Sequence, residues 1–158
     1  MVTEARFYHL TRSTLERALP RMLEMTLERG QRALVLASSE ERVEALNAWL
    51  WSYSNRAFLP HGSAKDGYAE DQPIWLSDQD EVPNGADVLF LTDGALSQRV
   101  GEFARCAVLF DGNDPEATAG ARAQWREFKN AGHDVSYWQQ DERGAWAEKA
   151  IGGAAQSG

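Results

Sequence analysis

The residues of this chain whose types and spacing best suit chemistry lie on one face of a predicted helix. Arg122, Trp125, Arg126 and Lys129 are related as i, i+3, i+4 and i+7, which places them side by side along a helix. Guanidinium groups bind carboxylates through paired hydrogen bonds, and an indole ring offers an apolar wall. The pattern predicts a binding site for a ligand that is both anionic and hydrophobic, such as the carboxyl end of a peptide.

A second interpretation of this face is an ordinary solvated surface, with Trp125 belonging mainly to the core. Ala121 and Phe128 mark the buried side of the predicted helix, and Trp125 lies between that side and the cations. Periodicity alone leaves both interpretations open.

A second candidate surface is an aromatic and apolar segment further towards the N-terminus. Its residues are Trp51, Phe58, Pro60 and His61. The segment predicts either a hydrophobic plug that closes the core or an exposed aromatic patch for a protein partner.

The sequence offers no phosphate-binding loop. Neither G-x-x-x-x-G-K-[ST] nor a G-x-G-x-x-G after a strand occurs. The turn after the first predicted strand, residues 11–14, has no glycine, and neither has Ser38-Ser39 after the second. We therefore expect no nucleotide cofactor, although a degenerate enzyme on a nucleotide-binding scaffold stays an alternative.

Neither the histidines nor the acidic residues have the spacing of a metal or catalytic site. The histidines are His9, His61 and His133, and the carboxylates at predicted strand ends are Asp87, Asp93 and Asp111. Solvated or capping roles are expected for these carboxylates rather than Mg²⁺ binding. Cys106 is the only cysteine and lies in an apolar run, so a buried, inert thiol is expected. We predict no catalytic residue, no metal and no cofactor.

Composition narrows the classes of partner. The 158-residue chain carries a formal net charge of −8, and such a field opposes binding to a phosphate backbone, so sequence-specific DNA binding is not expected. No apolar run is long enough to span a bilayer, and the N-terminus has no signal-peptide pattern. These features predict a soluble, cytoplasmic protein.

The elements that must position these residues alternate between strands and helices. Strands are predicted over 5–10, 32–37, 73–76, 87–91, 107–111 and 135–138, and helices over 14–29, 38–53 and 114–130. Ser38 with Glu41 fits a capping box, and Pro20 allows a kink in the first helix. The pattern predicts an α/β fold with a mostly parallel central sheet and helices on both faces. We expect one domain over residues 1–150 and a flexible tail over 151–158.

Several motifs along the chain also stand in the order of a known family. They are Phe7-Tyr8-His9-Leu10, Leu50-Trp51, Phe58-Leu59-Pro60-His61-Gly62, Pro73-Ile74-Trp75-Leu76 and the run from Arg122 to Lys129 followed by Ala131-Gly132. From Ala5 to about Trp146 the chain resembles the chi subunits of bacterial DNA polymerase III. The resemblance implies a nucleotide-binding-like topology without a phosphate loop and a non-catalytic part of the clamp-loader assembly.

The resemblance also implies two partners. One is the C-terminal tail of single-stranded DNA-binding protein, which is acidic and ends in an aromatic residue. The family's tail-binding positions fall on Arg122, Trp125 and Arg126, with Lys129 adjoining. Trp125 stands where the family has a tyrosine and Arg126 where it has a lysine. The other partner is the psi subunit, and the positions facing it are matched by Trp51, Phe58, Pro60 and His61.

Overall fold

The computed structural model describes residues 2–54 and 59–149, in which a seven-stranded sheet has helices on both faces. The strands are β1 (Glu4–Leu10), β2 (Ala33–Leu36), β3 (Ile74–Ser77), β4 (Val88–Leu91), β5 (Arg105–Asp111), β6 (Asp134–Gln140) and β7 (Trp146–Lys149). The helices are α1 (Leu15–Glu28), α2 (Glu40–Ser52) and α3 (Pro115–Asn130), with short 3-10 helices at Ala69–Asp71 and Val100–Glu102. The predicted α/β fold is confirmed.

The strands lie in the order β3-β2-β4-β5-β1-β6-β7, and every neighbouring pair except β6 and β7 is parallel. β1 therefore lies between β5 and β6, although both of those strands come late in the sequence. The register sets Phe7 beside Val108 and Tyr137. This long-range pairing places β1, at the start of the chain, next to α3.

Each face of the sheet has its own apolar core. On one face α1 and α2 contribute Leu19, Leu23, Leu46 and Leu50. On the other face Phe7 packs with Ala121 and Phe128 of α3 and with residues around the second 3-10 helix. β2 and β4 are buried at every position, as expected for parallel strands covered on both sides.

The helix α1 runs through Pro20 without interruption. A proline has no N–H, so the Glu16 carbonyl loses the donor that residue 20 would otherwise supply. The indole Nε1 of Trp49 in α2 donates to this oxygen at 2.5 Å. A side chain of one helix thus replaces the missing backbone hydrogen bond of the other.

Two local expectations differ from the structure. The N-cap of α2 is Ser39 rather than Ser38, and its hydroxyl accepts from the Arg42 N–H at 3.2 Å, which moves the cap by one residue. β7 was not predicted, because Trp146–Lys149 is short and half exposed and lacks an apolar run. Phe58 and the tail over 151–158 lie outside the described residues. Among the helices of the described residues, none is long and apolar enough to cross a membrane.

Candidate functional site

Local sequence fixes where α3 begins and how its faces point. Asp114 caps the helix, with its carboxylate accepting from the Glu116 N–H at 3.0 Å, and Pro115 occupies the first helical position. Ala121, Gln124 and Phe128 are buried against the sheet. The remaining circumference of the helix is available to solvent and to partners.

The predicted basic face is present on the outer side of α3. Arg122, Arg126 and Lys129 are exposed, and Trp125 is half-buried beside them. No carboxylate of the described residues lies within 4.0 Å of any of the three cations, although other arginines of the chain are paired. The face therefore combines local positive charge with an aromatic ring on an otherwise acidic chain.

The indole of Trp125 is held by two other rings. Its centroid lies 5.4 Å from that of Phe7 and 6.4 Å from that of Tyr137, both in edge-on geometry. The ring thus belongs partly to the core and partly to the surface, between the two interpretations that periodicity left open. An indole fixed in this way offers an apolar wall at low entropic cost.

Next to Trp125, polar side chains of β6 and β1 contact one another. The Tyr137 hydroxyl forms a hydrogen bond with Nδ1 of His9, and the Gln139 amide approaches the same nitrogen at 3.1 Å. His9 itself stacks on Phe110, with centroids 5.0 Å apart. The sequence prediction missed Tyr137 and Gln139, because only the pairing of β6 with β1 brings them to His9.

The positive charge of Arg122 also affects the pKa of Tyr137. Burial raises the pKa of its phenol, while the hydrogen bond to Gln139 and the positive charge of Arg122 lower it in part. The two residues are thus electrostatic neighbours across the space between α3 and β6. We name the surface formed by Arg122, Trp125, Arg126, Lys129 and Tyr137 the α3–β6 groove.

Of the described members of the second candidate surface, one is exposed, one is half-buried and one is buried. Trp51 is 52% exposed at the end of α2, and its ring packs on His61 with centroids 4.3 Å apart. His61 is buried, with Nδ1 2.5 Å from the Leu59 carbonyl and Nε2 3.2 Å from the Asn47 carbonyl. Pro60 is half-buried. The described part of this segment packs inward through Leu59 and His61 and presents Trp51 outward.

A cleft of about 1000 Å³ opens at the carboxyl ends of β1, β4 and β5, where nucleotide-binding folds hold their ligands. Its carboxylates outnumber its arginines, and Arg42 is paired with Asp93 at 2.8 Å and with Glu16 at 3.4 Å. The hydroxyl of Thr14 caps α1 by accepting from the Arg17 N–H. The chemistry of this cleft opposes a phosphate group.

The carboxylates at strand ends form hydrogen bonds or ion pairs with other residues of the chain. Asp87 accepts from the Arg32 N–H at 3.1 Å, Asp93 pairs with Arg42, and Asp111 accepts from the Asn113 N–H at 2.9 Å. Within residues 2–54 and 59–149, no cluster of three or more histidine, cysteine or acidic side chains has metal-binding geometry. Cys106 is buried, as predicted, and burial raises the pKa of its thiol.

The fold alone places the chain in a broad class of proteins. This class comprises α/β proteins of nucleotide-binding-like topology whose first strand–helix turn lacks a phosphate loop. The family model described as DNA polymerase III chi subunit, HolC, matches residues 2–136. The chain belongs to this family. It is 33% identical over 101 residues to a protein named "Probable DNA polymerase III subunit chi" from Rickettsia prowazekii (strain Madrid E). That match covers 62% of this chain and 61% of the relative, which is less than two thirds of the relative's length.

Proposed function

We propose that this chain is a non-catalytic accessory subunit of DNA polymerase III that works in the cytoplasm. In this role it links the clamp loader to single-stranded DNA-binding protein by holding that protein's acidic C-terminal tail in the α3–β6 groove. The observation that carries the proposal is the cluster of three exposed cations that have no ion-pair partner among residues 2–54 and 59–149, beside the half-buried ring of Trp125. Membership of the chi family supports a replication role.

The groove suits the two chemical features of such a tail. Arg122 and Arg126 can form charge-assisted hydrogen bonds with the terminal carboxylate, and the neighbouring Lys129 adds attraction for aspartates that precede it. The Trp125 and Tyr137 rings, 6.4 Å apart, provide an apolar contact for a terminal aromatic side chain. Binding through partly exposed ion pairs should weaken as salt rises.

Fluorescence anisotropy with a labelled acidic peptide ending in Pro-Phe tests this assignment. Arg122→Ala should raise the dissociation constant by about tenfold or more, because a hydrogen bond to a charged group contributes roughly 1.5–3 kcal/mol. Trp125→Ala should also weaken binding, whereas Trp125→Tyr should keep most of it, since an aromatic wall remains.

The matched control is Arg21→Ala, which removes one exposed arginine from α1 on the opposite face of the sheet. Arg21→Ala should bind the peptide like the unaltered protein. An amidated peptide should bind less tightly, because its terminal carboxylate is gone. No binding by the unaltered protein, or equal binding by Arg122→Ala and Arg21→Ala, would refute the assignment.

The surface around Trp51 is our proposed contact for a psi-type partner in the clamp loader. Trp51 stands out from α2 and rests on the buried His61, which fixes the position of its ring. Trp51→Ala should reduce capture of clamp-loader subunits in a pull-down and leave binding of the acidic peptide unchanged. The opposite pattern, with peptide binding lost and capture kept, would contradict this division of roles.

A degenerate enzyme is the alternative function, favoured only by the position of the cleft at the carboxyl ends of the strands. A thermal shift assay with nucleotides and Mg²⁺ distinguishes the two. A ligand at a hundred times its dissociation constant stabilises the folded state by about 2.7 kcal/mol. We expect no change in melting temperature, and a clear rise would favour the enzyme.

A further inference from the structure

The α3–β6 groove extends beyond the part of the chain that the family model matches. The match ends at residue 136, whereas β6 continues to Gln140 and β7 follows over Trp146–Lys149. A tight turn joins the two strands, with the Asp141 carboxylate accepting from the Arg143 and Ala145 N–H groups. The second half of β6 and all of β7 therefore lie beyond the residues that the family model matches.

The register of this hairpin decides which β7 residues face α3. Tyr137 is paired directly with Lys149, and Gln139 with Ala147. Residues directly opposite in an antiparallel pair point to the same face of a sheet. Because Tyr137 contacts Trp125 of α3, Lys149 lies on the face that carries the groove. Glu148, paired with Trp138, lies on the opposite face.

Lys149 lies at the edge of the α3–β6 groove that β7 borders. It is exposed, and no carboxylate of the described residues lies within 4.0 Å of its ammonium group. Arg122 and Arg126 border the groove on α3, and Lys149 borders it on β7, with Tyr137 between them. A ligand over Tyr137 would have cations on two sides.

We propose that Lys149 is a binding residue for the acidic residues that precede the terminal aromatic residue of the tail. The proposal rests on the proposed function of the groove. Arg122 and Arg126 hold the terminal carboxylate and Trp125 holds the aromatic ring. The preceding residues of the peptide cross β6 towards β7, where the Lys149 ammonium group pairs with an aspartate. In this chain, β7 thereby extends the tail site by one cation.

Two labelled peptides separate this role from the rest of the site. Both end in Pro-Phe with a free carboxylate, and one has a run of aspartates before this end whereas the other has asparagines. Lys149→Gln should weaken the aspartate peptide by roughly two- to fivefold, the effect of losing one exposed ion pair. It should leave the asparagine peptide unchanged. Arg122→Ala should weaken both peptides.

The charge-matched control is Lys65→Gln, an exposed lysine before β3 that is not part of the groove. It changes the net charge as Lys149→Gln does, so it corrects for the general field of the protein. Lys149→Glu should weaken the aspartate peptide further, and high salt should remove the difference between the variants.

The outcomes also distinguish this proposal from the proposed function. If the unaltered protein binds neither peptide, the tail assignment itself fails. If it binds both peptides and Arg122→Ala loses both, but Lys149→Gln behaves like Lys65→Gln, the tail site stands and the role of Lys149 is refuted. An equal loss of both peptides in Lys149→Gln would also refute it, because the lysine would then act on the shape of the groove.

Discussion

At the scale of single residues, the position of His9 next to the α3–β6 groove depends on Gly112, which no sequence pattern indicated. A Cβ atom on Gly112 would lie 1.7 Å from Cδ2 and 1.8 Å from Nε2 of His9. His9 is in turn stacked on Phe110 and hydrogen-bonded to Tyr137. The absence of a side chain at residue 112 therefore allows the histidine to occupy this position beneath Tyr137.

Gly112→Ala should destabilise the protein by about 1–3 kcal/mol, because the imidazole must leave a packed position. Gly120→Ala is the matched control, since a Cβ there meets nothing within 4 Å and the residue lies inside α3. That control should stabilise the protein by about 0.5–1 kcal/mol. Urea unfolding measures both. Equal changes in the free energy of unfolding would contradict the proposed contact with His9.

At the scale of elements, the contact between α1 and α2 depends on a backbone group that Pro20 leaves without a donor. The Trp49 indole supplies that donor to the Glu16 carbonyl. Trp49→Phe keeps an aromatic ring but removes the indole N–H, so it should lower the free energy of unfolding by about 1 kcal/mol. Chemical denaturation checks this value.

A double-mutant cycle with Pro20→Ala tests the reason for this loss. Alanine restores a backbone N–H at position 20, which can donate to the same Glu16 oxygen. Trp49→Phe should therefore cost less in the Pro20→Ala background than in the unaltered protein. An equal cost in both backgrounds would show that Trp49 stabilises the protein through packing alone.

The elements also show which parts of the structure the sequence could predict. Helical periodicity correctly predicted the buried side of α3 and the exposure of Arg122, because burial on a helix follows local spacing. The approach of Tyr137 to His9 depends on strand order, which spacing does not encode. β7 was missed for a related reason: its residues are stabilised by pairing with β6 rather than by an apolar run of their own.

At the scale of the whole molecule, a net charge of −8 and a basic groove act in opposite directions on an acidic peptide. Long-range repulsion slows the approach of the peptide, whereas short-range pairing with the arginines favours the complex once formed. Salt screens both interactions. In the proposed complex we therefore expect part of the affinity to come from the Trp125 wall, which salt does not weaken.

Cys106 allows the stability of the whole fold to be measured with and without a ligand. Its side chain is 1% exposed in β5, between β1 and β4, and burial raises the pKa of its thiol. The thiol can react only after the sheet has opened. A thiol reagent should therefore label the native protein slowly, at a rate that reports the free energy of opening.

A saturating acidic peptide should slow this labelling by a factor set by the ratio of its free concentration to its dissociation constant. At a hundred times the dissociation constant the reaction should be about a hundredfold slower, because ligand binding stabilises the folded state by about 2.7 kcal/mol. Arg122→Ala should abolish the protection, and Arg21→Ala should keep it. Cys106→Ala gives the background signal. Fast labelling that the peptide does not change would show that β5 opens locally, without disturbing the groove that α3 forms with β6.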